Sequence, residues 1–411
     1  MRRHAVSWRL AESVDVKDIL STQAAVGGTS VAAIGGASGD VLLEGAGSAS
    51  SLTGLQKGVP AIGKVPRFFL VDALRGVAAL WVVLFHASMH VENFYAVLPA
   101  WLRSGLLLGH NGVPIFFVLS GFVIAHSVGR SRVDGAYCGR FVLRRMLRLE
   151  PPYWASMVVS LGLVFLSSRA VPGKQVEAFS PGQVAAHLFY LQDILGVKPI
   201  NPTYWTLCLE AQFYAGFCLL VWAAHKLQRR GTDERPLQRV FLGAALVSLL
   251  WPLQAVGENV WQGLFFPLWH GFLLGVFAYW AYRGRIRRSW FYTYAGVLFA
   301  GGIVGGYQFP ATCAATATLL LEAGRAGKLA SWLNWPWLQF LGACSYSIYL
   351  LHMPLMGAGF NVVYRFLRPG GARTEAVALG LVLGLVFLGA FVFWKCIETP
   401  SALLSRRWAR R

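Results

Sequence analysis

The stretch FLVDALRGVAALWVVLFHASMH, residues 69–90, decides the fold class of this chain. It is apolar, and a helix of this length crosses the roughly 30 Å hydrocarbon core of a bilayer. It also contains four ionisable side chains, with Asp72 and Arg75 near its start and His86 and His90 near its end. Because ionisable groups are costly inside a bilayer, such residues indicate a function.

Arg75 and His86 are predicted to share one face of this helix. They are eleven residues apart, which at about 100° per residue offsets their side chains by only about 20° and separates them by about 16 Å. One face then carries a cation near the membrane edge and an imidazole deeper inside. The alternative interpretation is an arginine that extends to the surface and a buried structural histidine.

The overall composition is that of a membrane protein. Hydrophobic residues make up 56% of the chain and charged residues 13%, and many segments of about 20 residues lack charge. The net charge of +19 lies in short clusters between apolar segments, which argues against nucleic-acid binding. The six cysteines form no close pair, so we expect buried thiols rather than disulfides or metal ligands, and no metal.

We predict an all-α polytopic membrane protein with about ten transmembrane helices. Their expected ranges are 68–90, 113–129, 151–168, 204–224, 238–255, 262–282, 290–307, 310–324, 337–358 and 376–397. The segment 183–196 is a candidate for an extra interfacial or re-entrant helix. Twenty-one Lys and Arg lie in loops on one side and seven on the other, which predicts that both termini are cytoplasmic. We expect the protein in the inner (cytoplasmic) membrane.

The domain organisation follows from changes in composition. Residues 1–64 are rich in Gly, Ala and Ser and contain too few large apolar residues to form a core, so we expect a disordered cytoplasmic extension. Residues 65–400 form the membrane domain. Residues 401–411 form a basic cytoplasmic tail.

Two segments add polar groups to the predicted helices. GVPIFFVLSGFVIA, residues 112–125, contains Ser120, which taken alone favours packing over chemistry. GRFVLRRMLRLEPPYW, residues 139–154, contains Arg145 and Arg148 just before two prolines that are expected to begin a helix. These arginines suit either the positive-inside rule or the binding of phosphate oxygens.

Two further segments place an acid, a tyrosine and a histidine in apolar surroundings. NPTYWTLCLEAQFY, residues 201–214, carries Glu210, whose carboxylate needs a partner or a cavity at that depth. LGACSYSIYLLHMPL, residues 341–355, carries Tyr349 and His352, which are three residues apart and face similarly on a helix. Structural ion pairing and interfacial anchoring are the alternative interpretations.

The chain resembles the acyltransferase-3 family of integral membrane acyltransferases in five segments. They occur in the order DALRGVAALWVVLFH, FFVLSGFVIA, RRMLRLEPPYW, YWTLCLEAQFY and LGACSYSIYLLH. The resemblance covers about residues 67–400. It implies a ten-helix domain that transfers an acyl group, usually acetyl, from cytoplasmic acyl-CoA to a hydroxyl of a carbohydrate or a lipid-linked acceptor. The family often has a second acid where this chain has Ala211.

The resemblance also implies where the donor binds. The family's motif of an arginine followed after ten residues by a histidine falls on Arg75 and His86, and its R-x-x-R motif falls on Arg145 and Arg148. The three guanidinium groups are expected to bind the phosphates of acyl-CoA, the co-substrate. The arm of acyl-CoA that joins its phosphates to the thioester has a length similar to the distance from Arg75 to His86.

His86 and Glu210 are the predicted catalytic residues. His86 is expected to act as a general base on the acceptor hydroxyl, or as a nucleophile that forms an acyl-histidine. Glu210 either orients His86 or binds an acceptor hydroxyl, and Asp72 is expected to pair with Arg75. Supporting or substrate-contacting roles are assigned to Asp72, Ser120, Tyr349 and His352.

Two other classes of protein compete with the acyltransferase. A transporter or flippase of a polar solute would also carry isolated charges, but the motifs here occur once each and form no internal repeat. A membrane scaffold or sensor would only bind a ligand. The sequence leaves open the acceptor, the acyl group and the oligomeric state. The outer loops 91–112 and 169–203 are expected to select the acceptor.

Overall fold

The computed structural model describes residues 67–128, 135–170, 179–228, 234–257, 263–367 and 370–408. The predicted extension, residues 1–64, lies outside this part of the chain. The described residues form helices joined by turns and by a longer non-helical segment at residues 189–204, and no β-strand occurs among them.

The α-helices are numbered here in chain order. They are α1 Phe69–Ala87, α2 Glu92–Ala96, α3 Ala100–Leu107, α4 Gly112–Val128, α5 Gly135–Ala170, α6 Pro181–Leu188, α7 Trp205–Lys226, α8 Arg235–Ser248, α9 Trp269–Tyr282, α10 Arg288–Gly305, α11 Gln308–Arg325, α12 Pro336–Ala343, α13 Ser345–Phe366, α14 Ala372–Phe393 and α15 Thr399–Trp408. Short 3₁₀ turns lie at Ser88–His90, Leu108–Asn111 and Phe266–Leu268, and a π-helical turn at Trp394–Glu398.

Five helical segments of the described chain are long and apolar enough to cross a membrane. They are Phe69–His90, Ala100–Val128, Tyr137–Ser167, Trp205–Lys226 and Ala372–Arg407. The predicted class, an all-α polytopic membrane protein, is confirmed. The count of ten spans stays a prediction, because the other helices of the described chain fall short in length or hydropathy. The cytoplasmic position of both termini also stays a prediction.

Helix α5 corrects the predicted start of the third helix. The prediction was 151–168, whereas the helix begins at Gly135 and runs through Pro151 and Pro152. Each proline removes one helical hydrogen bond, but neighbouring helices in a membrane protein can bond the backbone near such a site. Here the hydroxyl of Tyr346 on α13 donates to the Leu149 carbonyl at 3.0 Å, next to the carbonyls of Leu147 and Arg148 that the two prolines leave without a helical donor. The basic residues before the prolines therefore lie on a rigid helix rather than in a loop.

The ninth predicted helix, 337–358, is two helices in the structure. It is interrupted at Cys344, which separates α12 from α13. Gly342, just before the break, lies directly against the backbone of Asp72 on α1, and a Cβ at this position would overlap the Asp72 carbonyl. The two helices therefore pack against α1 as separate elements.

Helix α1 is central to the bundle, since it packs against α4, α12 and α13. Helix α5 packs against α7, α13 and α15. Helix α13 thus contacts both α1 and α5, which carry the arginines of the predicted donor motifs. Its contacts bring the two helices to one region.

Gly121→Ala is expected to destabilise the protein. Helices α4 and α9 approach closely, and a Cβ at Gly121 would overlap the carbonyl oxygen of Phe272 on α9. Overpacking of this kind costs about 1–3 kcal/mol, so the variant is expected to unfold at a lower temperature in a detergent-based thermal assay. Gly162→Ala on α5 is the control, because nothing lies within 4 Å of the added Cβ. Equal melting temperatures for the two variants would contradict this packing.

Candidate active site

An internal cavity of about 80 Å³ lies between α1, α4, α5, α7 and α13. Its charged lining residues are Arg75, Arg145, Arg148 and Glu210. One water needs about 10–15 Å³ of such volume, so the cavity has room for several waters or a short acyl chain. Three predicted donor-binding residues and one predicted catalytic acid therefore meet in one place.

The arginines are held in different ways. Arg145 Nη1 donates to the Tyr214 hydroxyl at 3.4 Å, and its guanidinium lies over the Phe141 and Tyr214 rings at 5.6 and 4.8 Å. By contrast, neither Arg75 nor Arg148 makes a side-chain hydrogen bond or an ion pair to another described residue. Half-buried cations without acceptors are costly, so this arrangement is suited to binding an anion from outside the chain.

Glu210 belongs to a small hydrogen-bond network that Tyr214 links to Arg145. Ser120 Oγ donates to Glu210 Oε1 at 2.5 Å, and the hydroxyl of Tyr214 donates to the same oxygen. Ser120, which alone favoured packing, is thus a direct partner of the acid. No hydrogen bond joins Glu210 to His86 in the described structure, so Glu210 is not placed to orient that imidazole.

Asp72 does not pair with Arg75, and this prediction is wrong. Its carboxylate instead binds Arg67 Nε at 2.8 Å, where the chain enters α1. Arg75 faces the cavity, while Asp72 lies one turn earlier, within reach of the partly exposed Arg67. Asp72 is therefore not part of the site.

His86, in the last turn of α1, forms a pair with the fully buried His352 of α13. His352 Nδ1 lies 2.8 Å from the Tyr349 carbonyl and must carry a proton to donate to it. His352 Nε2 is then an acceptor, 3.3 Å from His86 Nδ1, which also lies 2.9 Å from the Val82 carbonyl. We infer that His86 Nδ1 carries the proton. The Nε2 atom of His86 then has a free lone pair and no hydrogen-bond partner among the described residues.

Tyr349 connects the arginine cavity with the histidine pair. It lines the cavity, its hydroxyl is hydrogen-bonded to Thr206 at 2.8 Å, and its ring centroid is 5.8 Å from that of His352. His86 itself is not among the residues that line this cavity. Tyr349 and His352 therefore connect the two predicted ends of the site.

The sequence interpretation missed Glu398 and Ser347. Glu398 is buried, and its carboxylate accepts hydrogen bonds from the backbone and hydroxyl of Ser347. The only sequence signal is an acid at the end of the last apolar segment. No group of three or more His, Cys, Asp or Glu in the described residues is placed to hold a metal ion.

The fold and this site define a multi-pass membrane protein with an internal cationic cavity close to an imidazole that has a free nitrogen. The sequence model described as "Acyltransferase domain" matches residues 69–395, which is most of the chain. The chain therefore belongs to the acyltransferase-3 family and is a membrane acyltransferase of the class that includes O-acetyltransferases.

Named relatives support this assignment. BcsY of Komagataeibacter xylinus, whose name describes a membrane-bound transacylase, is 28% identical over 341 residues, covering 77% of this chain and 80% of BcsY. The peptidoglycan O-acetyltransferase OatA of Listeria monocytogenes is 26% identical over 192 residues, covering 44% of this chain and 28% of OatA. The O-acetyltransferase OatA of Staphylococcus aureus is 22% identical, covering 70% of this chain and 50% of that protein. No solved structure matches the chain significantly.

Proposed function

We propose that this protein transfers an acyl group, most simply acetyl, from cytoplasmic acyl-CoA to a hydroxyl of a carbohydrate or glycolipid acceptor at the inner membrane. One observation carries the proposal. Arg75 and Arg148 come from different helices, line the same cavity, and have no hydrogen-bond or ion-pair partner among the described residues. Coenzyme A supplies what they lack, since its phosphates accept charge-assisted hydrogen bonds.

The donor would extend from the arginines towards His86. The helical rise between Arg75 and His86 is about 16 Å, similar to the reach of the arm that joins the phosphates to the thioester. Tyr349 lies between the two regions and contacts His352. In this proposal the Tyr349 side chain moves aside, so that the thioester reaches His86 Nε2.

The free lone pair of His86 can serve two mechanisms. As a general base, Nε2 accepts the proton of the acceptor hydroxyl while its oxygen attacks the thioester carbon and the CoA thiolate leaves. As a nucleophile, Nε2 attacks the thioester carbon and expels the CoA thiolate. The hydroxyl oxygen then attacks the acyl carbon, the C–N bond breaks, and the hydroxyl proton passes through the released imidazole to the thiolate. The second route suits a donor and an acceptor that arrive from opposite membrane faces.

The acceptor class rests on the relatives. OatA of Listeria monocytogenes is named a peptidoglycan O-acetyltransferase, and peptidoglycan contains sugar hydroxyls. We extend only the chemistry to this chain, namely a sugar hydroxyl that receives an ester. Polysaccharide, glycolipid and glycosylated small molecules all present that group.

The test uses the full-length protein in inside-out membrane vesicles with acetyl-CoA labelled in the acetyl group. We expect thiol release from CoA together with label in a membrane or glycan fraction, and mild alkali should release that label because it cleaves esters. Arg75→Ala is expected to reduce both signals. Solute movement without thiol release would indicate a transporter instead, and binding without either would indicate a scaffold or sensor.

A further inference from the structure

Glu398 is a buried acid that does not itself line the arginine cavity. It lies in the π-helical turn Trp394–Glu398 and is only 8% exposed. Its Oε2 atom accepts a hydrogen bond from the Ser347 backbone N–H at 3.2 Å and another from the Ser347 hydroxyl at 2.5 Å. Because Ser347 is completely buried on α13, the carboxylate is fixed in position.

The Glu398 carboxylate interacts electrostatically with two arginines of the cavity, Arg75 and Arg148. Neither forms a direct ion pair with it among the described contacts. The π-helical turn packs against α5, which carries Arg148, and α13 packs against α1, which carries Arg75. The acid therefore attracts both guanidinium groups and leaves their N–H donors unoccupied.

This arrangement has two consequences for an anion that enters the cavity. Arg75, Arg145 and Arg148 repel one another in a poorly solvated space, and Glu398 lowers that cost while the site is empty. The same negative charge repels a bound phosphate. Acyl-CoA and CoA carry the same phosphates, so a site that binds the substrate too tightly also retains the product.

We propose that Glu398 is a charge-balancing residue of the donor site, which keeps two guanidinium groups in place for phosphates and weakens the retention of CoA. This inference rests on the proposed function, because it takes CoA as the anion. Glu398 acts through Arg75 and Arg148 and needs no contact with the reacting atoms. The π-helical turn fits this role, since such turns often occur at functional sites.

Glu398→Gln tests the charge alone, because the amide keeps an oxygen that can accept from Ser347. In purified protein we expect the Kd for CoA to fall on the order of tenfold, as the loss of one nearby negative charge predicts. The KM for acetyl-CoA is expected to fall as well, and kcat is expected to fall because CoA leaves more slowly. The difference in Kd should shrink at high salt.

Glu375→Gln is the matched control. Glu375 is also a buried acid, 5% exposed, and accepts from one side chain, Asn93 Nδ2, and one backbone N–H, that of Phe94. It lies in the first turn of α14, at the opposite end of that helix from the π-helical turn that carries Glu398, so its neutralisation should leave the Kd for CoA unchanged. Equal Kd values for the two variants, or weaker CoA binding by Glu398→Gln, would overturn the proposal.

Glu398→Asp separates charge from hydrogen bonding. If charge balance matters, Asp should keep the wild-type Kd for CoA and Gln should not. If Glu398 only accepts hydrogen bonds from Ser347, the isosteric Gln should behave as wild type and the shorter Asp should not. That second result would contradict the proposal.

A folding defect does not remove the test. Should Glu398→Gln fail to accumulate, the double variant with Arg75→Gln is expected to accumulate, because it removes one cation with the anion. If the double variant does not accumulate in the membrane under conditions in which Glu375→Gln does, the proposal is overturned. If wild-type protein binds no CoA, the proposed function fails and this inference with it. If Arg75→Ala weakens CoA binding but Glu398→Gln changes nothing, only this inference fails.

Discussion

His86→Ala is expected to lower the rate of acyl transfer by a factor of about 10²–10⁴, the usual contribution of a positioned acid or base. In the structure one ring nitrogen of this histidine has hydrogen-bond partners and the other has a free lone pair. Nδ1 faces the Val82 carbonyl and His352, and Nε2 has no hydrogen-bond partner among the described side chains and backbone groups. Removing the ring removes the acceptor of the hydroxyl proton or the acyl-carrying atom. Donor binding by the arginines should persist.

The measurement is transfer of labelled acetyl from acetyl-CoA in vesicles, with CoA binding measured on the same protein. His90→Ala is the control, because this exposed histidine lies four residues further on and stacks its ring on Phe360 at 4.6 Å. We expect it to retain most of the activity. A folded His86→Ala variant that binds CoA and transfers acetyl at the wild-type rate would contradict a chemical role for His86.

The same variant distinguishes the two mechanisms. If His86 forms an acyl-histidine, wild-type protein incubated with labelled acetyl-CoA and no acceptor should retain label that hydroxylamine removes, and His86→Ala should retain none. If His86 is only a general base, neither protein should carry the label. The hydrogen bond of His86 Nδ1 to Val82 orients Nε2 equally well for both reactions.

The positions of Arg75 near one end of α1 and of His86 near the other could be predicted from the sequence, because a helix is locally regular. A helix has a fixed rise and turn per residue, so spacing alone predicts that two side chains share a face. Apolar length likewise predicts spans, and α1, α4 and α7 begin and end within a few residues of their predicted bounds. These features depend on residues that are close in the chain.

The partners of the polar side chains were not accessible, because they are distant in sequence. Glu210 bonds Ser120 across 90 residues, and His86 meets His352 across 266. In a soluble protein the polar face of each helix would indicate its rotation, but helices that are apolar all round give no such indication. The sequence could therefore propose that each polar group has a partner without saying which.

The misplaced start of α5 has a related cause. Two adjacent prolines are a strong signal for a helix start in water, and the prediction applied that rule at Pro151 and Pro152. In a membrane bundle, contacts with neighbouring helices can hold a helix that contains proline, and here the hydroxyl of Tyr346 on α13 binds the Leu149 carbonyl in the same turn. The position of Arg145 and Arg148 on the cavity wall depends on this longer helix.

Arg148→Ala is expected to raise the Kd for CoA by on the order of 10²-fold, since hydrogen bonds to charged groups contribute about 1.5–3 kcal/mol each. Arg75→Ala should have a similar effect, because both side chains line the cavity without hydrogen-bond partners in the described residues. The KM for acetyl-CoA should rise in parallel. The turnover at saturating donor should change much less, because neither guanidinium reaches the thioester.

Arg140→Ala supplies the matched control, since Arg140 lies on the same helix but is exposed and does not line the cavity. Arg140→Ala removes the same charge from α5, so an effect of lost positive potential alone would raise the Kd for CoA equally in both variants. S-acetyl-pantetheine, a donor without the nucleotide phosphates, sharpens the test. The arginine variants should use this poor donor as well as wild type does, because the groups that the arginines bind are missing. If Arg148→Ala weakened the use of both donors equally, Arg148 would have a structural role and the phosphate assignment would be wrong.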